Sequence, residues 1–459
     1  MRILLVSHYF PPYDHIGSAR TGKTAKYLEL FGHDVRILTA RDTLTPFAQM
    51  PVEIDPAHII YTNWISAPYR ADLALNRLAQ AVAAGIESRA KPLPLGSPRT
   101  GQSRAGKSSA WKSLGHGIRD GLRTICYFPD AQIGWYPYAV RAGRELIRGW
   151  RPDVILASSG PYTGLLVARS LAREFGIPWV AEFRDLWVDN HGYQHPDWRK
   201  KIEALVEKRV VSDAGGLVTV SEPLADTLRA AFRLDVEVVY NGFDPGDHGE
   251  GAGGAATRNL EIVYTGWTYP QQTLRPLFMA LRTLGRDASD VRVVFYRSNN
   301  DMVRAAAAEE GLEHLVELRQ GVPFMESLRR QKEADVLLYL SWNDREQTGI
   351  FSGKHFQYFG AARPVLAVGP TDNAPAAVIR EFGLGFASSD SEAIAVRIAE
   401  WLKEKRTTGM VEAIPPARAA EFTRENQTRR LERFLARVAA RDFGAERELY
   451  CESAGLRRT

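Results

Sequence analysis

The sequence predicts two α/β domains, each built around a doubly wound parallel sheet. Short apolar runs typical of buried strands alternate with helix-length segments along the whole chain, which is the order of a parallel sheet with crossover helices. A Gly/Ala-rich segment without apolar periodicity interrupts this alternation at 246–258, after which the pattern restarts. A length of 459 residues also favours two domains over one.

We therefore divide the chain into a first domain over 1–245, a hinge over 246–258 and a second domain over 259–415. An amphipathic helix is predicted over 416–440, and we expect it to return to the first domain. The charged tail, 441–459, is expected to fray.

Composition narrows the functional classes. The formal net charge is +5 and the pI is about 9.0, which favours anionic ligands or surfaces. Cys126 and Cys451 have no metal or redox spacing and indicate a reducing compartment. The histidines show no paired ligand spacing, so no metal site is expected. No apolar run is long enough for a signal peptide or a membrane span, so we expect a cytoplasmic protein, soluble or peripheral at the membrane.

The first domain opens with a strand over 3–7, a loop over 9–17, a helix over 18–31 and a strand over 35–39. Gly17–Thr24 matches the G-x-x-x-x-G-K-[ST] phosphate-loop pattern letter for letter. A true phosphate loop joins its strand directly to its helix, and here the rest of the loop intervenes, so an ATPase is a lesser alternative. Two interpretations stay open: an ordinary glycine-bearing loop, or one whose Gly17 and Arg20 face an anionic ligand.

A basic, Pro/Gly/Ser-rich loop is predicted over 91–113. Apolar residues at helical spacing follow over 111–125, with basic residues between them. Part of this region, 99–125, has the composition of a peripheral contact with an anionic membrane. The alternative is a solvated loop and a helix that packs on the protein's own core.

Charged residues follow the strand predicted at 179–181. Glu182, Arg184 and Asp185 stand at its carboxyl end, which is where open α/β sheets bind ligands. Two acids beside one arginine can orient a hydroxyl nucleophile or hold a sugar, so we take these three as catalytic candidates. The alternative is a salt-bridged strand end.

The second domain restarts the α/β pattern after the hinge. A helix is predicted over 274–284. The predicted strands lie at 261–265, 291–296, 316–318, 335–340 and 365–368.

The most informative stretch of the second domain is a predicted helix that begins near Ser352. Ser352 is a good N-cap, and Gly353 allows close backbone approach. The free N–H groups, the helix dipole and Lys354 in the first turn form an anion seat suited to a diphosphate. Gln357 lies one turn further and can hydrogen-bond a sugar hydroxyl. The alternative is an ordinary capped helix before a strand.

Several segments, in this order, resemble retaining glycosyltransferases of the GT-B fold, and glycosyltransferase family 4 in particular. The resemblance spans roughly 1–440 and leaves the basic loop and the tail uncovered. The segments that carry it are Tyr9–Pro12 with Gly17 and Arg20, Pro129–Trp135, Phe183–Trp187, Val220–Ser221, Asn241–Asp244 and Ser352–Tyr358.

That resemblance implies two Rossmann-like domains facing across a cleft, with the acceptor in the first and a nucleotide-diphosphate sugar in the second. It implies no essential metal or other cofactor, because helix termini and basic side chains neutralise the diphosphate. The implied donor-binding residues are Gly17, Arg20, Gly266, Arg275, Ser352, Gly353, Lys354 and Gln357.

The chain departs from the family pattern at three places. The family usually has a glutamate at Gln357, and often another where this chain has Gly349. In the loop after Gly266 it typically has a basic residue facing the diphosphate, where this chain has glutamines. Arg275 or Arg297 is the candidate to replace that basic residue.

The sequence therefore predicts a retaining hexosyltransferase. It would move a sugar from a nucleotide-diphosphate sugar to a glycan or lipid-linked acceptor in surface polysaccharide or glycoconjugate synthesis, without a nucleic-acid partner. The alternatives are a catalytically inactive GT-B relative that acts as a binding partner, a nucleotide-sugar epimerase and the phosphate-loop ATPase. The base, the sugar, the acceptor and the linkage are not specified by the sequence.

Overall fold

The computed structural model describes residues 1–13, 16–41, 50–65, 127–190, 192–193, 195–249, 257–343, 348–349, 351 and 353–441. The predictions for 91–113, 99–125, 442–459 and Ser352 concern residues outside these ranges. Contacts divide the chain into one unit of Met1–Leu217 with Leu435–Thr459 and another of Val218–Phe434. The predicted hinge lies within the second unit, and the domain boundaries stay a prediction.

The first sheet has seven strands. In chain order they are β1 (Arg2–Val6), β2 (Asp34–Ala40), β3 (Ile59–Thr62), β4 (Val154–Ser158), β5 (Trp179–Phe183), β6 (Gly216–Thr219) and β7 (Val236–Val238). Their order in the sheet is β3-β2-β1-β4-β5-β6-β7, and β1 pairs in parallel with both β2 and β4. Strand β4 is buried at every position, because a parallel strand is covered on both faces.

Helices connect these strands. They are α1 (Ile16–Leu30), α2 (Tyr136–Gly149), α3 (Thr163–Phe175), α4 (Asp197–Val211) and α5 (Glu222–Phe232). Most strand and helix bounds predicted from apolar runs agree with the structure to within about two residues. The predicted helix over 416–440 is instead divided into a short helix over Pro416–Ala419 and a long one over Arg424–Ala439. The helix α1 begins before Gly17, so Gly17 is helical rather than part of the preceding loop.

The second sheet has six strands, and every neighbouring pair is parallel. In chain order they are β8 (Leu260–Thr265), β9 (Val291–Tyr296), β10 (Val316–Arg319), β11 (Val336–Leu340), β12 (Val365–Val368) and β13 (Gly385–Ser388). Their order in the sheet is β10-β9-β8-β11-β12-β13, so the chain winds in one direction from β8 and in the other from β11. Ligands of doubly wound sheets bind beyond the carboxyl ends of the strands at such a reversal.

The helices of the second half complete the doubly wound arrangement. They are α6 (Arg275–Thr283), α7 (Asn300–Ala308), α8 (Phe324–Glu333), α9 (Gly353–Gly360), α10 (Ala374–Glu381), α11 (Ser391–Thr408), α12 (Pro416–Ala419) and α13 (Arg424–Ala439). Helix α13 contacts the chain around β7, where Arg430 Nε donates to Glu237 Oε1 over 2.6 Å. Within the described ranges, no helix combines the length and the apolar character that crossing a membrane requires.

Candidate functional site

Two of the predicted site residues in the first unit form a buried ion pair. Arg20, on α1, donates from Nε and Nη2 to Oε1 of Glu182, at the end of β5, over 3.0 and 2.7 Å. Arg20 is 4% exposed and Glu182 is 2% exposed. Burial raises the pKa of Glu182, but the charge and hydrogen bonds of Arg20, helped by Ser158 and Arg184, outweigh it and hold the pKa below its ordinary value. Glu182 is therefore an ionised carboxylate that Arg20 neutralises.

Arg184 lies beside this pair and is fixed by backbone carbonyls. Its Nε donates to the carbonyl of Ser159 over 2.7 Å, and its Nη2 donates to that of Gly160. Burial lowers the pKa of Arg184. A Cβ on Gly17 would overlap the Arg184 guanidinium, so glycine at this position is explained by packing within the unit.

The three catalytic candidates differ in exposure, and their roles stay predictions. Asp185 is exposed, whereas Arg184 is partly buried and Glu182 is enclosed. Of the three, Asp185 presents its carboxylate most openly to solvent. The geometry of Glu182 is that of the salt-bridged strand end, the alternative interpretation of the sequence pattern.

The phosphate-loop alternative fails on geometry. Gly17–Thr24 lies inside α1, where the backbone N–H groups are directed along the helix and cannot wrap around a phosphate. Lys23 pairs instead with Glu53, at 2.8 Å, and Lys26 binds the same carboxylate at 2.7 Å. The structure therefore gives this letter match no phosphate-binding loop.

In the second unit, the structure brings Gly266 and Lys354 together. Gly266 follows β8 with φ of +103°, a conformation that favours glycine. A Cβ added there would lie 3.3 Å from Lys354 Nζ. Gly266 therefore provides the turn and leaves the lysine head group uncovered on that side.

Lys354 is a partly buried cation without a carboxylate. Its Nζ donates to the Tyr264 hydroxyl over 2.7 Å and lies 4.0 Å from the centre of that ring. The Tyr264 hydroxyl in turn donates to the carbonyl of Trp267 over 2.8 Å. Burial lowers the pKa of Lys354 to about 7, and no carboxylate in the described part of the chain forms an ion pair with it. An anion at this position would stabilise the charged lysine.

Hydrogen bonds fix the helix that carries Lys354 against strand β8. The Tyr358 hydroxyl, one turn along α9, accepts from the backbone N–H of Thr265 over 3.0 Å. Gln331, on α8, donates from Nε2 to the side chain of the same threonine, Thr265 Oγ1, over 3.3 Å, so α8 is joined to this strand end as well. A Cβ on Gly353, the first residue of α9, would meet no described atom within 4 Å, so the helix start is sterically open on that side.

The loops after β8 and β11 are joined at the sheet reversal. Gln272 Nε2 donates to the carbonyl of Leu340 over 2.9 Å. Tyr269 stacks on Trp342, with ring centres 5.3 Å apart. These contacts fix the rim of the crevice beyond the carboxyl ends of β8 and β11.

Among the described residues, the remaining predicted positions of the second unit form no side-chain hydrogen bond with Lys354. Arg275 is exposed at the start of α6, and Arg297 is exposed just after β9 with φ of +58°. Such a φ is costly for arginine and is characteristic of functional loops. Gln357 lies on α9, where its backbone carbonyl accepts from His248 Nε2 over 2.9 Å. A Cβ on Gly349 would overlap Pro223 and Leu224, so the second family glutamate has no room here.

A cavity of about 560 Å³ lies at the other end of α9. Its walls are mostly apolar, and they include Phe243, Phe359 and Ile414. Neither Lys354 nor Gly266 lines it, so it is separate from the candidate anion site.

Sequence reasoning missed Tyr264, Tyr358 and the Tyr269–Trp342 stack. Tyr264 was visible only as one apolar member of a strand pattern. Its role depends on the pairing of β8 with β11 and on where α9 lies, neither of which a single sequence specifies.

Three comparisons place this geometry among known proteins. The family model described as Glycosyltransferase Family 4 matches residues 104–247. A search of curated proteins found no match. The structure is similar to HepE from Anabaena in complex with UDP, at 13% identity and a TM-score of 0.56, covering 95% of this chain and 100% of that one.

Two further structures are similar over nearly their whole length. A glycosyltransferase from Rickettsia africae has 12% identity and a TM-score of 0.56, with 96% of this chain and 99% of that one covered. Sucrose-phosphate synthase from Thermosynechococcus elongatus has 15% identity and a TM-score of 0.52, with 98% and 100% covered. The two doubly wound sheets and these neighbours establish the predicted GT-B fold.

Proposed function

We propose that this protein is a glycosyltransferase that binds the diphosphate of a nucleotide sugar at Lys354. The observation that carries the proposal is the state of this lysine. It is a partly buried cation whose pKa lies near 7, beside Gly266, at the carboxyl end of the strand where the second sheet reverses. A buried charge without an internal counter-ion is costly, and a ligand anion would repay that cost.

In the proposed reaction, the bond between the anomeric carbon and the β-phosphate oxygen breaks, and an acceptor hydroxyl oxygen bonds to that carbon. The hydroxyl proton leaves to solvent or a base, for which the exposed Asp185 is our candidate. Charge builds up on the leaving diphosphate, where protonated Lys354 and the N–H groups at the start of α9 would stabilise it. Retention of anomeric configuration rests on the family resemblance.

We assign the remaining predicted residues to supporting roles. Gln357 would hydrogen-bond the ribose, and Arg275 is the candidate second cation for the phosphates. Gly17 and Arg20 stay predicted donor-binding residues, although Gly17 packs against Arg184 and Arg20 is enclosed with Glu182. HepE, one of the structural neighbours, has been crystallised with UDP and with UDP-glucose, so uridine donors are the first to test.

The test is the Lys354→Met variant, measured by calorimetric binding of UDP-glucose and by turnover. We expect binding to weaken by roughly 10- to 100-fold, the size of a lost hydrogen bond to a charged group. Thermal stability should stay equal or rise, because a poorly solvated charge is removed. Lys332→Met is the matched control, since Lys332 donates to the carbonyls of His248 and Gly249 in the same unit. Wild-type donor affinity and turnover in Lys354→Met would contradict the assignment.

One observation favours a second candidate, a GT-B protein that binds a donor without turning it over. The family's two glutamates are Gln357 and Gly349 in this chain, and packing against Pro223 and Leu224 leaves Gly349 no space for a side chain. A panel of UDP-, GDP-, ADP- and TDP-sugars, with glycan and lipid-linked acceptors, separates the candidates. Binding without product supports the inactive relative, and interconversion of free donor without acceptor supports an epimerase.

A further inference from the structure

Helix α4 has its polar and apolar faces reversed. Its charged residues Arg199, Glu203 and Glu207 are 0%, 2% and 5% exposed. Three of its apolar residues point the other way, with Trp198 50%, Ile202 45% and Leu205 71% exposed, whereas Val210 and Val211 at its end are buried. A helix on a sheet normally buries its apolar side chains and exposes its charged ones.

The buried face of α4 is held by polar contacts. Arg199 Nε donates to Glu203 Oε1 over 2.5 Å, and Trp187 Nε1 donates to Glu203 Oε2 over 3.1 Å. Arg199 Nη2 also donates to the carbonyl of Pro129 over 3.2 Å. Burial, together with nearby acids, raises the pKa of Glu207 to about 8. Rotating the helix to bury its apolar residues would break this network, so the reversed orientation is fixed.

The exposed apolar residues form a single stripe. Trp198, Ile202 and Leu205 are spaced by four and then three positions, which places them on one helix face. Single exposed apolar residues are ordinary, whereas three in line on one helix are a feature of interaction surfaces.

Basic side chains accompany this stripe. Lys201, Lys208 and Arg209 are exposed, and none forms an ion pair with a carboxylate among the residues that the structure covers. The two glutamates that lie between them in the sequence face inward. Asp197 is the exposed acid of this helix. The outer face therefore combines a row of apolar side chains with an excess of positive charge.

We propose that this outer face of α4 binds the surface of an anionic lipid bilayer. An interfacial helix inserts aromatic and aliphatic side chains between head groups while its basic residues meet anionic phosphates. Tryptophan favours that depth, and each basic residue near the surface contributes about fivefold in affinity. The charge complementarity selects an anionic surface over a neutral one. This inference does not depend on the transfer reaction, although a lipid-linked acceptor would be met at the same surface.

The test is cosedimentation of the full chain with phosphatidylcholine vesicles, with and without phosphatidylglycerol. We expect binding to the anionic vesicles only, and weakening as salt is raised. Leu205→Ser should reduce binding roughly tenfold, and Lys208→Glu about fivefold or more. Both positions are exposed, so circular dichroism should report an unchanged fold.

The chain offers matched controls on other helices of the same unit. Leu30, on α1, is 67% exposed, close to the 71% of Leu205, so Leu30→Ser changes a comparable apolar side chain. Arg148, on α2, is exposed and has no ion pair among the described residues, so Arg148→Glu matches the charge reversal. Both controls should bind vesicles as the wild type does.

Three results would overturn the proposal. One is a wild-type protein that ignores anionic vesicles. Another is equal binding by the α4 variants and the controls, which would place any membrane contact elsewhere, for instance in 99–125. The third is a self-association of the wild type that Leu205→Ser abolishes while vesicle binding is unchanged, because the stripe would then be a protein interface.

Discussion

The two units each hold a buried cation at the carboxyl ends of their strands, and they neutralise it in opposite ways. Arg20 in the first unit has the carboxylate of Glu182 at 2.7 Å, and the pair is almost fully enclosed. Lys354 in the second unit has a neutral tyrosine hydroxyl at the same distance, and the pKa of its ammonium group is lowered to about 7. The first cation has a carboxylate partner within the fold, whereas the second has none among the residues that the structure describes.

This difference separates a structural charge from a binding charge. A paired buried charge contributes to stability only while both partners are present. A buried cation without a carboxylate weakens the folded state, and such groups concentrate at functional sites. Arg20 and Lys354 are both basic residues near the carboxyl ends of strands. We nevertheless expect that removing the partner of Arg20 destabilises the protein, whereas removing the charge of Lys354 does not.

The largest expected effect is on folding of the first unit. Glu182→Gln removes the carboxylate that pairs with Arg20 while keeping the side-chain shape, so the buried guanidinium loses that counter-charge. We expect a loss of about 3–5 kcal/mol in the free energy of unfolding, measured by urea denaturation. The double variant Arg20→Met/Glu182→Leu should recover most of that loss, since neither member of the pair is then left without its partner. If the Glu182→Gln protein were as stable as the wild type, the charge pair of the first unit would not contribute to stability, and the contrast with Lys354 would be lost.

The second prediction concerns the pH dependence of donor binding. A donor phosphate favours the protonated lysine, so binding should raise the lysine pKa from about 7 and take up a proton. Above pH 7 the free protein has lost that proton, so affinity for UDP-glucose should fall, by about fivefold between pH 7 and pH 8. Calorimetry in buffers of different ionisation enthalpy measures the proton uptake directly. UDP-glucose suits this experiment because neither of its phosphates titrates in that range.

Lys354→Arg is the control for the pH effect, because arginine stays charged throughout and should bind with a flat pH profile. Stability without ligand gives an independent check. The folded-state pKa is depressed below the ordinary value of 10.5, so the unfolded chain binds more protons between the two values. The contribution of Lys354 to stability should therefore rise from pH 7 towards pH 10 and be lost as pH falls. If the free energy of unfolding of the wild type did not rise between pH 7 and pH 10, that result would contradict the depressed pKa of Lys354.

The sequence predicted the elements well and their relationships poorly, for a physical reason. Apolar runs such as those of β4 and β12 are visible because a parallel strand buries both faces. Gly266 and Lys354 lie close together because β8 lies next to β11 in the sheet. A sequence pattern does not specify that strand order. The resemblance, rather than periodicity, placed these two residues in one site.

The orientation of helix α4 could not be predicted from the sequence either. The sequence of this helix, over Asp197–Val211, is rich in charged residues, and from that pattern alone the charged face is expected outside. The burial of Arg199 follows from partners distant in sequence, such as Trp187 acting through Glu203 and the carbonyl of Pro129. Buried ion pairs of this kind leave no periodic signal, because a charged residue is far more often exposed.

The smallest expected effect is a gain, at Gln357. A glutamate there offers two acceptor oxygens and a charge where the amide offers one neutral acceptor, so Gln357→Glu should strengthen ribose binding by about threefold. The comparison of UDP-glucose with its 2′-deoxyuridine analogue isolates this contact, because an interaction with the 2′-hydroxyl raises affinity for the first donor alone. Equal losses for both donors would mean that the carboxylate acts on Lys354 instead, as an internal counter-ion that competes with the diphosphate. In that case the pH dependence of binding would flatten as well, and the second unit would have been converted to the arrangement that Arg20 and Glu182 have in the first.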